Sequence, residues 1–208
     1  MDKPIGYLNT QQLSEIILFQ NESKPCNSSQ LKDVLNFLKW RTYKQNIDFA
    51  HLCENDSLIS NLSLEENLQL EGKEFSRFPK LPKNTTELLM EKIPGPVDKL
   101  LSLIPRWNIL PQDVTPEIRK LVSLLKVLSR NTDYLILENP DKHLDETSLC
   151  HLKEILMVLT KAKNTSIFMT QINTEGHWKE LITSHVRFNK NHLYIIEELD
   201  EETASEAV

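Results

Sequence analysis

Glycine is scarce in this chain. There are four among 208 residues, Gly6, Gly72, Gly95 and Gly176, where average usage is about 7%. Few positions can therefore adopt φ > 0 cheaply or let a ligand come close to the backbone. Cysteine is scarce too. Cys26, Cys53 and Cys150 lie far apart, without metal-ligand spacing. This argues against structural zinc and for free thiols in a reducing compartment. No apolar run approaches the ~18 residues of a membrane span. The opening MDKPIGYLNT has none of the marks of a signal peptide. The expectation is a soluble, cytoplasmic protein. Cations are missing from one end: after Ile196 the chain reads EELDEETASEAV, six acids with no Lys or Arg. The net charge is −6, so the remainder is close to neutral. Nonspecific nucleic-acid binding needs a basic surface, so no nucleic-acid partner is expected. Residues 199–208 are expected to form an acidic, disordered, solubilising tail.

What is present suits one α/β domain with a sizeable core: 39% hydrophobic and 26% charged residues. SEIILFQ (14–20) predicts a short buried strand. A polar stretch follows, then QLKDVLNFLKW, where Leu31, Val34, Leu35 and Leu38 fall at helical spacing. Strand, polar loop and helix open a βαβ unit, and residues 46–53 predict its second strand. Six of the ten prolines lie between Pro79 and Pro111, among short helical patches at TELLMEKI and VDKLLSLI. This predicts a small, mainly helical insertion over 67–113. Thr115 then caps a helix with Pro116 at its first position, and Ile118, Leu121, Val122, Leu125 and Leu128 form its apolar face. Asn131 is a plausible stop. DYLILENP predicts a buried strand, ETSLCHLKEILMVLTKA a helix, and TSIFMTQ another strand. HVRFNKNHLYIIEE predicts two strands about a turn at 189–191. The predicted fold is a mostly parallel sheet with flanking helices and antiparallel strands at its C-terminal edge. Residues 1–66 and 114–198 form the core, 67–113 the helical insertion, and 199–208 the tail.

The loop between SEIILFQ and QLKDVLNFL has the place and length of a Walker A loop, G-x-x-x-x-G-K-[ST]. Such a loop needs glycines so that N–H groups wrap the phosphates, a lysine for their charge and a hydroxyl for Mg²⁺. Here it starts at Asn21 and contains Cys26, Asn27, Ser28 and Ser29, with no glycine and with Asn27 at the lysine position. Pro25 removes one more donor. Lys24 is a candidate substitute cation. Alone, this is an ordinary strand–helix connection.

NTDYLILENPDKHLDE strengthens the comparison. It resembles the Walker B and D-loop region of ABC-type ATPases: four apolar residues lead to Glu138-Asn139-Pro140, and Leu144-Asp145 follows at the right distance. The preceding KLVSLLKVLSRNTD is similar to that family's linking helix. In family order, Val114-Thr115-Pro116-Glu117-Ile118 takes the place of the signature motif. CENDSLISNLSLEENL resembles the Q-loop, with Glu54 at the glutamine position and Glu66-Asn67 keeping a common pair. Gln171 stands where a switch histidine is expected. The resemblance spans residues 14–198 and implies an ABC-type P-loop fold with a helical subdomain. Each position alone also fits a plain reading: a helix cap at 115–117, a strand end at 138–140, a polar strand end at Gln171.

The resemblance makes the departures meaningful. Asn139 cannot accept the proton of an attacking water, and general-base catalysis supplies about 10²–10⁴-fold. Gln171 cannot carry a proton or a positive charge. Glu138 in place of Asp keeps a possible Mg²⁺ contact, displaced by one methylene. Glu117 would put a negative charge where a partner's γ-phosphate is bound. The resemblance therefore implies a pseudo-ATPase without metal or cofactor. As a structural or regulatory subunit it would partner a permease, an intact ABC ATPase or a second copy of itself, peripheral to the cytoplasmic face of the inner membrane. A weak nucleotide switch using Lys24, Ser28 and Glu138 stays open. So does a free-standing adaptor that docks through its acidic tail.

Overall fold

The computed structural model describes residues 15–21, 30–55, 58–72, 90–91, 95–130, 132–163, 165–172, 175–188 and 194–198. Asn131, the turn at 189–191, most of TELLMEKI and residues 199–208 lie outside them.

Six strands form one sheet in the order β2-β3-β4-β1-β5-β6. They are β1 (Ile16–Asn21), β2 (Phe49–Leu52), β3 (Tyr134–Glu138), β4 (Ser166–Thr170), β5 (Ser184–Phe188) and β6 (Tyr194–Glu198). β1 to β5 run parallel, and β6 is antiparallel to β5. The predicted second strand is trimmed from 46–53 to Phe49–Leu52. The central strands are nearly continuous apolar runs because both sheet faces are covered.

Side chains alternate between the two faces. Ile16, Leu18, Leu135, Leu137, Ile167 and Met169 enter the larger apolar cluster, while Ile17, Phe19, Tyr134, Ile136, Phe168 and Val186 enter the other. The second cluster is closed by α1 (Leu31–Thr42). There Phe37 is fully buried and Leu35 only partly, a change from the predicted stripe. Phe37 reaches the sheet, with its ring 6.0 Å from Phe19, 6.0 Å from Phe168 and 5.0 Å from Tyr194.

The larger cluster lies under α2 (Leu64–Gly72), α3 (Pro96–Ser102), α4 (Pro116–Leu128) and α5 (Glu146–Lys163). α2 packs on α4, and α3 on α5. A short α6 (Glu175–Trp178) adds the buried Trp178. α4 departs from its predicted single apolar face: every residue from Lys120 to Leu128 is buried. It is packed on more than one side, against α2 and β2, so a one-sided stripe would leave a buried side unfilled.

Two local devices start these helices. Gly95, at φ 85, precedes Pro96 and turns the chain into α3, one of the few places where glycine's freedom is required. Ser63 and Glu66 form a capping box before α2: Ser63 N–H and Oγ donate to Glu66 Oε2 at 2.8 and 2.9 Å, and Glu66 N–H donates to Ser63 Oγ at 3.2 Å.

Candidate functional site

Asn21, Glu54, Glu138, Asn139 and Gln171 lie at or just after the C-terminal ends of the parallel strands, where ligands bind in open α/β sheets. β1 ends on Asn21, and α1 starts just after Gln30. Asn21 N–H donates to Gln30 Oε1 at 3.1 Å, and its side-chain Nδ2 donates to Asp33 Oδ2 at 2.9 Å. Both ends of the connecting loop are therefore tied together. Cys26, Asn27, Ser28, Ser29 and Lys24 lie outside the described residues.

Glu138 closes β3 and is 3% exposed. A buried carboxylate is costly unless it is paired, and here each of its oxygens has a nitrogen close by. Oε1 accepts the Gln30 N–H at 3.0 Å, at the positive end of α1. Oε2 lies 3.2 Å from His51 Nε2, off the line of a hydrogen bond. Lys120, fully buried on α4, brings its Nζ to 3.5 Å from the Glu138 carbonyl oxygen. On the other side of His51, Nδ1 lies 3.4 Å from Cys53 Sγ. Burial first, and then the Glu138 charge, push the Cys53 thiol above its ordinary value, partly offset by Lys120. The thiol is thus protonated at neutral pH, which removes the nucleophilic form.

Next to Glu138, the backbone turns sharply. Asn139 has φ 49 and Gln171 φ 56, both in the left-handed region that asparagine tolerates better than most residues. Glu138 is in register with Thr170, and Asn139 N–H donates to the Thr170 carbonyl at 2.8 Å. The two turns thus sit side by side at the ends of β3 and β4. Glu54 forms an ion pair at 3.0 Å with Lys142, in the turn after β3. Among the described residues no group of three or more His, Cys, Asp and Glu could hold a metal ion.

A second cluster joins the start of α4 to the start of α5. Thr115 caps α4 and accepts the Ile118 N–H at 3.4 Å, with Pro116 at the first helical position. Arg119 Nη1 donates to the carbonyls of Val114 and Pro111 at 3.0 and 3.3 Å. Glu117 has partners within the chain. Its Oε1 accepts from Ser148 Oγ at 3.1 Å and from Asp145 N–H at 3.5 Å. The carboxylate therefore serves donors at its own chain's α5 N-terminus, where helix ends leave N–H groups to be satisfied. Asp145 accepts the Ser148 N–H at 2.7 Å. The Ser148 hydrogen bonds hold its carboxyl below the usual carboxylate range. Leu144 packs against the larger core.

No family model matches the chain. A curated relative, ATP-binding protein Uup of Buchnera aphidicola subsp. Acyrthosiphon pisum (strain APS), is 30% identical over 115 residues, 55% of this chain. The match spans 18% of that relative's length. A solved ATP-binding subunit of an ABC transporter superposes with a TM-score of 0.65 at 15% identity, covering 94% of this chain and 84% of that one. An ATP-binding cassette dimer in a post-hydrolysis state, bound to ADP and Pi, also gives 0.65, at 14% identity, covering 93% and 88%. The fold is that of an ABC ATP-binding cassette. At these identities the likeness establishes the architecture and leaves the chemistry to this chain's own residues.

Within the cassette fold, the strand ends bring Asn21, Glu54, Glu138, Asn139 and Gln171 to one side of the sheet. The 114–118 segment meets Asp145 in its separate cluster. Sequence reading missed Gln30, His51 and Lys120. His51 is on β2 and Cys53 follows its last residue, so i, i+2 spacing brings the two side chains together; that was its one available signal. Lys120 had none, because it sits inside a helix face read as apolar.

Proposed function

We propose that this chain is a non-hydrolysing cassette subunit, kept for its surfaces. It pairs with a membrane permease, an intact ABC ATPase or a second copy of itself. The observation that carries this reading is the engagement of Glu138. By resemblance, this position would supply the carboxylate that meets Mg²⁺. Here one oxygen takes the Gln30 N–H at 3.0 Å and the other faces His51 at 3.2 Å. A carboxylate so occupied, next to an amide at Asn139 that cannot accept a proton, does not fit a nucleotide–metal site. The Glu117 hydrogen bonds support the same reading, because they hold the 114–118 segment to its own D-loop-like turn. The solved neighbours, one a subunit of a transporter and one a cassette dimer, support a paired role. No described helix is long and apolar enough to cross a membrane, so in this reading the chain reaches the cytoplasmic face of the inner membrane through its partners.

Two measurements test it. Affinity purification from solubilised membranes is expected to recover a permease or a second cassette protein; a clean monomer contradicts the pairing. Millimolar Mg-ATP is expected to leave the melting temperature unchanged. A ligand at 100 times its Kd would add about 2.7 kcal/mol and raise the Tm of a domain this size by several degrees. A saturable rise would replace this reading with the nucleotide switch.

A further inference from the structure

The end of α1 and the residues after it read Lys39-Trp40-Arg41-Thr42-Tyr43-Lys44, three cations and two aromatics in six residues. Lys39, Trp40, Tyr43 and Lys44 are exposed, Trp40 at 46% and Tyr43 at 83%. A solvated helix end seldom gathers two exposed aromatics, and such a patch marks a contact surface. It has a fixed inner wall. The Trp40 ring lies 5.3 Å from Tyr194 and 5.9 Å from Phe37, and the Arg41 guanidinium lies 5.9 Å from the Phe37 ring. Arg41 also has an acidic neighbour, with Nη2 3.7 Å from Glu15 Oε2. Among the described residues no carboxylate pairs with Lys39 or Lys44. The chemistry that fits is an anionic segment, with ammonium groups to pair its carboxylates and aromatics to cover its backbone.

The chain carries such a segment, and β6 delivers it to this place. Residues 199–208, LDEETASEAV, hold Asp200, Glu201, Glu202 and Glu206 and no cation. They follow Glu198, the last residue of β6, whose partner on β5 is Ser184. Ser184 Oγ is 3.3 Å from Glu15 Oε2, the same oxygen that faces Arg41. Three contacts, Glu198 to Ser184, Ser184 to Glu15 and Glu15 to Arg41, therefore separate the end of β6 from the patch. Ten residues span up to ~33 Å, ample for that distance. A short tether also holds an attached segment at an effective concentration on the order of millimolar. We propose that residues 199–208 dock in cis on the surface formed by Lys39, Trp40, Arg41, Tyr43 and Lys44, and so cover a patch built for acidic partners. This goes beyond the subunit reading and does not depend on it.

Carbodiimide coupling of the full chain, mapped by mass spectrometry, tests the contact. Expected are links from Lys39 or Lys44 to Asp200, Glu201, Glu202 or Glu206 within one molecule. Their yield should fall several-fold between roughly 50 and 500 mM salt as screening grows. Amide exchange in 199–208 should be slower in the wild type than in K39E/K44E, two exposed substitutions. Equally fast exchange in both proteins, or no such links at low salt, overturns the proposal. Links that join light to heavy chains in an isotopic mixture also overturn it and make the occupant a second copy.

Discussion

At the scale of single residues, the strand ends are governed as much by backbone geometry as by side-chain chemistry. Asn139 occupies the left-handed region at φ 49 and is 6% exposed. A left-handed conformation costs most L-residues roughly 1–2 kcal/mol. Asn139→Glu, which would restore a carboxylate, should therefore destabilise the fold by roughly 1–3 kcal/mol once the buried charge is included. Asn139→Gly should stay within about 0.5 kcal/mol of the wild type. Urea denaturation of both variants checks the pair, and an equally mild glutamate substitution would show that the turn does not select asparagine. Cys53 gives a pH-dependent prediction. Burial raises its thiol above the ordinary value, so the thiolate is rare at neutral pH and grows only as pH climbs through that raised value. Although both residues are exposed overall, the Cys53 sulfur lies against His51 and is partly desolvated, so it should be alkylated more slowly than Cys150 at pH 7.5, and the gap should narrow above pH 9. Peptide-resolved labelling with iodoacetamide measures this. Equal rates at pH 7.5 would remove the influence of Glu138 and burial on the thiol.

At the scale of elements, one buried side chain organises the passage from β2 to α2. Asn67 is fully buried. Its Oδ1 accepts the Ile59 N–H at 2.7 Å, and its Nδ2 lies 3.0 Å from the carbonyls of Ile59, Leu62 and Ser63. Alanine would strand these backbone groups, so Asn67→Ala is expected to cost about 2–4 kcal/mol. Faster amide exchange over 58–63 should accompany the loss, and a stable variant with unchanged exchange would mean water replaces the side chain. In the sequence Asn67 was legible only as half of the Glu66-Asn67 pair. Its partners are backbone N–H and carbonyl groups, and backbone groups leave no signature in a sequence. The caps were easier: Thr115-Pro116 announces the start of α4 because those residue types satisfy or dispense with the first N–H groups. Glu117 marks the limit of such reading. Its residue type was plain, but its partner, Ser148, lies 31 positions away.

At the scale of the whole molecule, the fold was the most legible part. Apolar runs bounded by polar loops are a local signal, and strands alternating with helices leave few topologies open. The order of family-like motifs then pointed to the cassette architecture that the solved neighbours share. The site was legible as a list of positions, because a parallel sheet sends every strand's C-terminal end to one side. Composition and order along the chain settled the elements, the absence of glycine between β1 and α1 and the amide at Asn139, since each is a property of neighbours in sequence. Tertiary structure alone decided that Gln30 donates to the Glu138 carboxylate with His51 beside it, that Glu117 meets Ser148, and that β6 ends opposite Ser184, which neighbours Glu15 and through it Arg41. Those contacts join residues far apart in sequence, and a carboxylate meets its donors only once the fold has brought them together, which no local pattern encodes.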